Sequence, residues 1–415
     1  VGLEKAWSVT IPLDRSDERV LEVNLAADAA DKTFARAQVF VQTSHGYLHV
    51  YRAETGRYEW GAPLGWPTLD AFPVSVNKDR VFATNATTLH ALDRDTGRTI
   101  WTKKLDGAPS SATSANDKLV AIGLKSGRVV AYSIYEEPVP GFTPRSAGRF
   151  ARAYATVGSI TARPILADPF GIFASHDGKV YVGLPARNRI LFRFLTGGPI
   201  SGSLGLHDTR TLIVPSEDAN LYSIDLLTSE TKWVIPTGAP LKEEPIVAGD
   251  MAYVENAAGK LFGVQILTGE VAWSSPVGGS HMLAVTPGRL YLLSNHRDLS
   301  VIDRTKGTVL HSPRDSFESA GVNLRAFTVH DTNELNDRIY LATPSGRMAC
   351  LRELGRKTPS PLRDPEAKPF GTLPDVAQPA TTPPDSPAAT GDVETEQPKA
   401  EPEPEPDDPG NDPGR

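Results

Sequence analysis

The sequence predicts an all-β chain folded as an eight-bladed β-propeller of four-stranded antiparallel blades, and three observations point there. First, the segment Ala91-Leu92-Asp93-Arg94-Asp95-Thr96-Gly97-Arg98-Thr99-Ile100-Trp101 recurs along the chain in decaying copies. Second, the copies keep a period, with Trp60 and Trp101 lying 41 residues apart and Trp233 and Trp273 lying 40 apart. Third, each copy is flanked by short β-branched and aromatic runs separated by turn residues. A period near forty residues built from short strands marks a propeller or solenoid, whose units bury their faces only against one another.

In the best-preserved copy, residues 72–76 supply an innermost strand, 80–84 a second, 88–92 a third and 99–102 a fourth. Between the last two strands lies a turn. Gly97 can take positive φ there, and Asp93 and Thr96 can hydrogen-bond local amides. Trp101 is expected to pack between neighbouring blades with its indole N–H on a carbonyl. Gly56 with Trp60, Trp233, and Gly269 with Trp273 hold the equivalent places in other copies. The strand–turn–strand core can be followed through eight copies, opening at Val39, Val81, Leu119, Val180, Leu212, Met251, Leu290 and Ile339. The copies at Leu119 and Val180 lack the Trp, and the copy at Leu290 carries His311 in its place. The last copy ends near Gly355 one strand short, and the missing strand stands at the other end of the chain, around Trp7. Pairing the two would close the ring and remove two exposed sheet edges.

The pattern A-x-D-x-x-T-G-x-x-x-W resembles the tryptophan-docking repeat of the PQQ-like β-propellers. Ala91, Asp93, Thr96, Gly97 and Trp101 match every fixed position, while other Trp-bearing copies depart at Val50 and Arg52, Ser223 and Ser229, or Gly263 and Gln265. The resemblance spans roughly residues 1–355. That superfamily holds quinoprotein alcohol dehydrogenases and a non-enzymatic, BamB-like branch from outer-membrane protein assembly. The matching residues are structural, so the resemblance implies a fold more than an activity. A WD40 propeller has a similar period, but its Trp-Asp pair has no counterpart here.

Composition divides the chain into a propeller, residues 1–355, and a tail, 356–415. From residue 359 onward there are 15 prolines, one aromatic residue, Phe370, and 13 acidic against 4 basic residues, so the whole net charge of −7 is a property of the tail. Such a segment cannot bury enough apolar surface to offset its conformational entropy, and disorder is expected for it. No run of 18 apolar residues exists, so no helical membrane span is expected. The chain begins at Val1 without an initiator Met or an apolar leader, as expected of an exported product whose leader has been removed. A lipid anchor would need an N-terminal Cys, and none stands there.

Candidate chemistry is sparse. Enzymes of the resembled family use a vicinal disulfide beside the quinone, which a single cysteine, Cys350, cannot supply. Cys350 is expected to be a small buried hydrophobe. His45 and His49 straddle a hairpin tip and need not share a face. Ser175-His176-Asp177 spells triad letters, but adjacency along a chain is not triad geometry. The glycine-rich stretch 197–205 has no helix after it to cradle phosphate and is expected to replace a lost Trp strand with a loose connection. No catalytic residue, cofactor or metal site is therefore expected.

The segment from about 135 to 164 interrupts the period between the third and fourth copies. It interleaves Tyr135, Phe142, Phe150 and Tyr154 with Arg145, Arg149, Arg152 and Arg163. Aromatic residues and Arg are enriched in binding hot spots, so the seven from Tyr135 to Tyr154 are the candidate partner-binding residues. The expectation is an exported, monomeric, non-catalytic scaffold in the periplasm or cell envelope, binding another envelope protein or polymer rather than nucleic acid. The alternatives are a PQQ- or metal-dependent oxidoreductase and a propeller that senses a ligand in its central channel.

Overall fold

The second and third strands of each repeat are near-continuous apolar runs, and such runs need neighbours on both faces. Val81, Phe82 and Ala83 are fully buried, as are Leu89, Ala91 and Leu92 on the strand paired with them. The fourth strand, Thr99–Lys104, instead leaves Thr99, Thr102 and Lys104 exposed at the rim. A computed structural model describes residues 2–373 apart from 15, 29, 30, 32, 69, 295–297 and 312–323. The described residues form eight four-stranded antiparallel sheets, the eight blades expected from the repeat.

Blade 1 runs from the inner strand Val20–Ala26 through Gln38–Thr43 and Tyr47–Arg52 to the outer strand Tyr58–Pro63. Blade 2 runs from Ser75–Val76 to Thr99–Lys104, blade 3 from Ser114–Ala115 to Phe150–Ala155, and blade 4 from Ile165–Ala167 to Arg189–Leu195. Blade 5 runs from Gly205–His207 to Thr231–Pro236, blade 6 from Ile246–Ala248 to Val271–Pro276, and blade 7 from Ser280–Val285 to Val309–His311. Blade 8 takes three strands from one end of the chain, Val329–His330, Ile339–Ala342 and Arg347–Glu353. Its outer strand, Leu3–Thr10, comes from the other end, with Trp7 opposite Cys350. The ring is thereby closed. Tyr340, Ala342, Met348 and Cys350 of blade 8 share one core with Val23, Leu25, Val39 and Val41 of blade 1.

Three sequence expectations need correction. The fourth copy does not open at Val180, which lies in the third strand of blade 4; the second strand is Phe170–Ala174. The period breaks by about ten residues rather than twenty, because the second strand, Phe170–Ala174, and the third, Lys179–Leu184, are similar apolar runs. The stretch 197–205 does not replace an outer strand, since blade 4 has a complete one ahead of it, Arg189–Leu195. The tail also begins later than its composition indicates. Leu362 and Phe370 are buried against the propeller, Gly249 N–H donates to the Leu362 carbonyl (3.0 Å), and Gly371 N–H donates to the Thr209 carbonyl (2.8 Å). Residues 356–373 thus form a strap over blades 8, 6, 5 and 4, because two apolar side chains find seats between turns. The rest of the expected tail, residues 374–415, lies outside the described residues.

Candidate functional site

The repeat motif acts between blades. Each outer-strand Trp donates its indole N–H to the carbonyl just beyond the third strand of the next blade. Trp60 reaches Arg94 (2.8 Å), Trp233 reaches Ile266 (2.7 Å), Trp273 reaches Arg304 (3.0 Å), and Trp7 reaches Ala53 (3.0 Å). The glycine of that next turn lies flat against the indole. A β-carbon on Gly56 would fall 2.7 Å from Trp7, and Gly97 under Trp60 and Gly269 under Trp233 are similarly confined. Gly97 also has φ +71°. Two demands thus converge on one residue, a left-handed backbone and a ring in contact. Asp93 holds the turn by accepting from the Thr96 hydroxyl (2.7 Å) and amide (3.0 Å), and the hydroxyl bond leads in keeping its carboxyl below the ordinary value.

Trp101 makes the same bond, to the Ile134 carbonyl at 3.2 Å, and packs on Gly148. Ser133 therefore stands where Asp93 stands, and Gly148 where Gly97 stands; Gly148 N–H even donates to the Ser133 carbonyl (2.8 Å), as Gly97 does to Asp93 (2.9 Å). Three residues lie between Asp93 and Gly97 and fourteen between Ser133 and Gly148, so the insertion is a docking turn lengthened by eleven residues. Inside it, Glu137 and Arg145 exchange backbone hydrogen bonds (3.0 and 2.9 Å), which leaves Phe142 at the tip, 79% exposed.

The seven candidate partner residues divide into two groups. Tyr135 turns back onto blade 2, donating to Asp79 and accepting from Asn77 (3.2 Å); burial and the Asp79 bond push its hydroxyl up to about 12. Tyr154 packs its ring 5.3 Å from Phe173 of blade 4. Arg152 pairs with Ala131 in the register that Trp101 keeps with Ala91, and so occupies the docking position of blade 3. Its Nε donates to the Pro185 carbonyl at 2.6 Å, the bond an indole would make. These three take partners on the neighbouring blades. Phe142 and Phe150 remain exposed, and Arg145 and Arg149 both face Glu137, at 3.5 and 3.1 Å. The spacing Gly148 to Arg152, equal to Gly97 to Trp101, was the sequence signal for the docking role. The sequence reading also passed over the outer strand of blade 4, where Arg189, Leu191, Arg193 and Leu195 face solvent.

A second concave feature is the central channel, about 560 Å³, lined by residues on or beside the innermost strands. Arg163 spans it, 2.7 Å from Glu334 of blade 8 and 3.3 Å from Glu244 beside blade 6. Burial opposes charge on Glu334, but the charge and hydrogen bond of Arg163 together with a hydrogen bond from Glu244 hold that carboxyl low. Burial and the charge on Glu334 push Asp331 up to about 7.

The remaining motifs fall apart as sites. His49 is buried, and burial lowers its pKa, whereas His45 turns outward to Asp17 at 3.5 Å. Ser175 donates to the Gly158 carbonyl (3.1 Å), His176 meets Thr161 (2.8 Å), and Asp177 accepts from Tyr181 (2.6 Å); the Asp177 amide donates to Ser175 Oγ (3.2 Å), but the three side chains engage different partners. Cys350 is 1% exposed, and burial pushes its thiol up to about 12. Among the described residues no group of three or more His, Cys, Asp or Glu is placed to hold a metal, and no helix is long and apolar enough to cross a membrane.

Comparison with solved structures gives the same architecture. BamB from Moraxella catarrhalis superimposes with a TM-score of 0.65 at 17% identity, over 85% of this chain and 98% of that one. The computationally designed Ika8 protein superimposes with a TM-score of 0.62 at 12% identity, over 84% and 99%. No curated protein matches by sequence. The sequence profile of the outer membrane protein assembly factor BamB family matches residues 4–190 and 177–285, more than half of the chain, and the chain belongs to that family.

Proposed function

We propose that this propeller is a non-catalytic scaffold of the bacterial cell envelope, working in outer-membrane protein assembly and holding a protein partner on the lengthened docking turn of blade 3. The observation behind this reading is the clamped base and free tip of that turn. Trp101 and Tyr135 fix its root to blade 2, while Phe142 and Phe150 stay 79% and 49% exposed. A loop on a rigid frame loses little freedom on binding, and exposed aromatics beside Arg are the usual carriers of interface energy. On the outer strand of blade 4, Arg189, Leu191, Arg193 and Leu195 are likewise exposed. Family membership supports the envelope setting, and the dispersal of the polar motifs supports the absence of catalysis.

The test is capture of a cross-linkable partner from a solubilised bacterial envelope fraction. Arg149→Glu with Phe150→Ala is expected to abolish capture with the melting temperature nearly unchanged. Capture undiminished by this pair would remove the insertion as the docking element. Turnover of alcohols or sugars with added PQQ and Ca²⁺ would contradict the non-catalytic reading.

A further inference from the structure

The seam between blades 3 and 4 differs from its neighbours in having a guanidinium where an indole is usual. The smaller group leaves a cavity of about 240 Å³, walled by Lys118, Glu137, Arg149, Arg152, Asp168 and Pro185 among others. Arg152 donates to three backbone carbonyls, those of Ala151 (2.8 Å), Pro185 (2.6 Å) and Ala186 (3.3 Å). Among the described residues no carboxylate lies within ion-pair distance of it. Arg149 gives one nitrogen to Glu137 (3.1 Å) and another to the Phe150 carbonyl (3.3 Å). Its Nε is buried without a partner among the described residues. Glu137 is shared with Arg145, and Asp168 is taken by Lys118 at 2.7 Å. Four cations therefore face Glu137 and Asp168, with Asp117 also acting on Lys118. Arg149 and Lys118 are 39% and 71% exposed at the mouth of the cavity, and the excess of positive charge there favours an anion.

We propose that this cavity is a carboxylate site, taking the side chain of an Asp or Glu from an extended segment of the partner, with Phe142 and Phe150 covering the apolar residues beside it. The flat two-oxygen anion matches the guanidinium fork. The assignment rests on the docking role proposed above and adds the chemistry of the partner.

The full chain can be titrated with glutarate, its uncharged analogue glutaramide, and inorganic phosphate, following backbone amide resonances at Ala151 and Ala186. Glutarate is expected to move both resonances saturably and glutaramide neither. Arg149→Gln is expected to weaken the response about tenfold, the loss of one charge-assisted bond. Arg152→Trp restores the usual residue of the repeat and fills the cavity; it should keep the melting temperature and abolish the response. If that variant does not fold, Arg149→Gln decides alone. An equal response to glutaramide, a response unchanged in Arg149→Gln, or tighter binding of phosphate than of glutarate would overturn the assignment. Failure of the docking reading is read separately, from partner capture. Capture lost in Arg149→Glu with Phe150→Ala, without any glutarate response in the parent protein, overturns the carboxylate site alone. A glutarate response with capture untouched by those changes overturns the docking reading alone.

Discussion

The seam between blades 1 and 2 and the seam between blades 3 and 4 solve one problem with different side chains. At the first, Trp60 is 6% exposed, stacks on Gly97, and donates to the carbonyl after the third strand. At the second, Arg152 makes the same bond from the same register but brings no aromatic plane, and a cavity remains. What the repeat preserves is thus a donor aimed at one carbonyl. The indole adds apolar burial to that bond, and the guanidinium adds charge. A seam that gives up packing in this way is suited to receive something else, and it lies directly beneath the insertion.

The largest effect that could break this comparison comes from truncating the two docking residues. Trp60→Ala is expected to cost about 3–5 kcal/mol, the range for a large buried aromatic, and Arg152→Ala about 1–3 kcal/mol, that of a lost charge-assisted bond. Equilibrium denaturation giving equal losses would mean that the two seams are not energetically distinct. Gly97→Ala is expected to cost roughly 1–3 kcal/mol, because alanine must hold φ +71° against the Trp60 ring. A substitution there with no measurable cost would remove the stacking argument.

The strap offers a smaller test. Ending the chain after residue 373 should leave the melting temperature unchanged, whereas ending it after 355 should lower it by several degrees, since Leu362 and Phe370 lose their seats. Equal melting temperatures would show that the strap adds no stability.

The smallest effect is one of pH. Asp331 faces Glu334, Glu22 and Arg163, and burial with the charge on Glu334 raises it from 3.8 to about 7. A carboxyl raised on folding contributes stability that is complete below its ordinary value and is lost as pH rises through its folded value. His90 works in the opposite direction. Burial lowers it to about 4, so its contribution fades as pH falls from 6.5 toward 4. The melting temperature should therefore be higher near about pH 6 than about pH 8, and Asp331→Asn should flatten that slope. A slope identical in the variant would exclude Asp331 as its source.

Much of this was legible in the sequence, for a definite reason. Blade number, ring closure through Trp7 and the Asp-Thr-Gly turn are local patterns repeated at a period, and repetition exposes them. Whether an exposed-looking residue is free is not a local property. Arg152 and Tyr154 read as surface anchors because their partners, Pro185 and Phe173, belong to the next blade. The strap escaped notice because proline and charge dominate its composition, while two side chains, Leu362 and Phe370, decide its position. The channel cluster joins Arg163, Glu244 and Glu334, which are far apart in sequence and meet only once the ring has closed.

The central claim is that an ordinary docking turn has been enlarged into a binding element without altering the frame beneath it. The direct measurement replaces residues 133–148 with the five-residue turn of blade 2, residues 93–97, and records melting temperature and partner capture together. An unchanged melting temperature with capture abolished is the predicted result. Capture retained, or a ring that no longer folds, would contradict it.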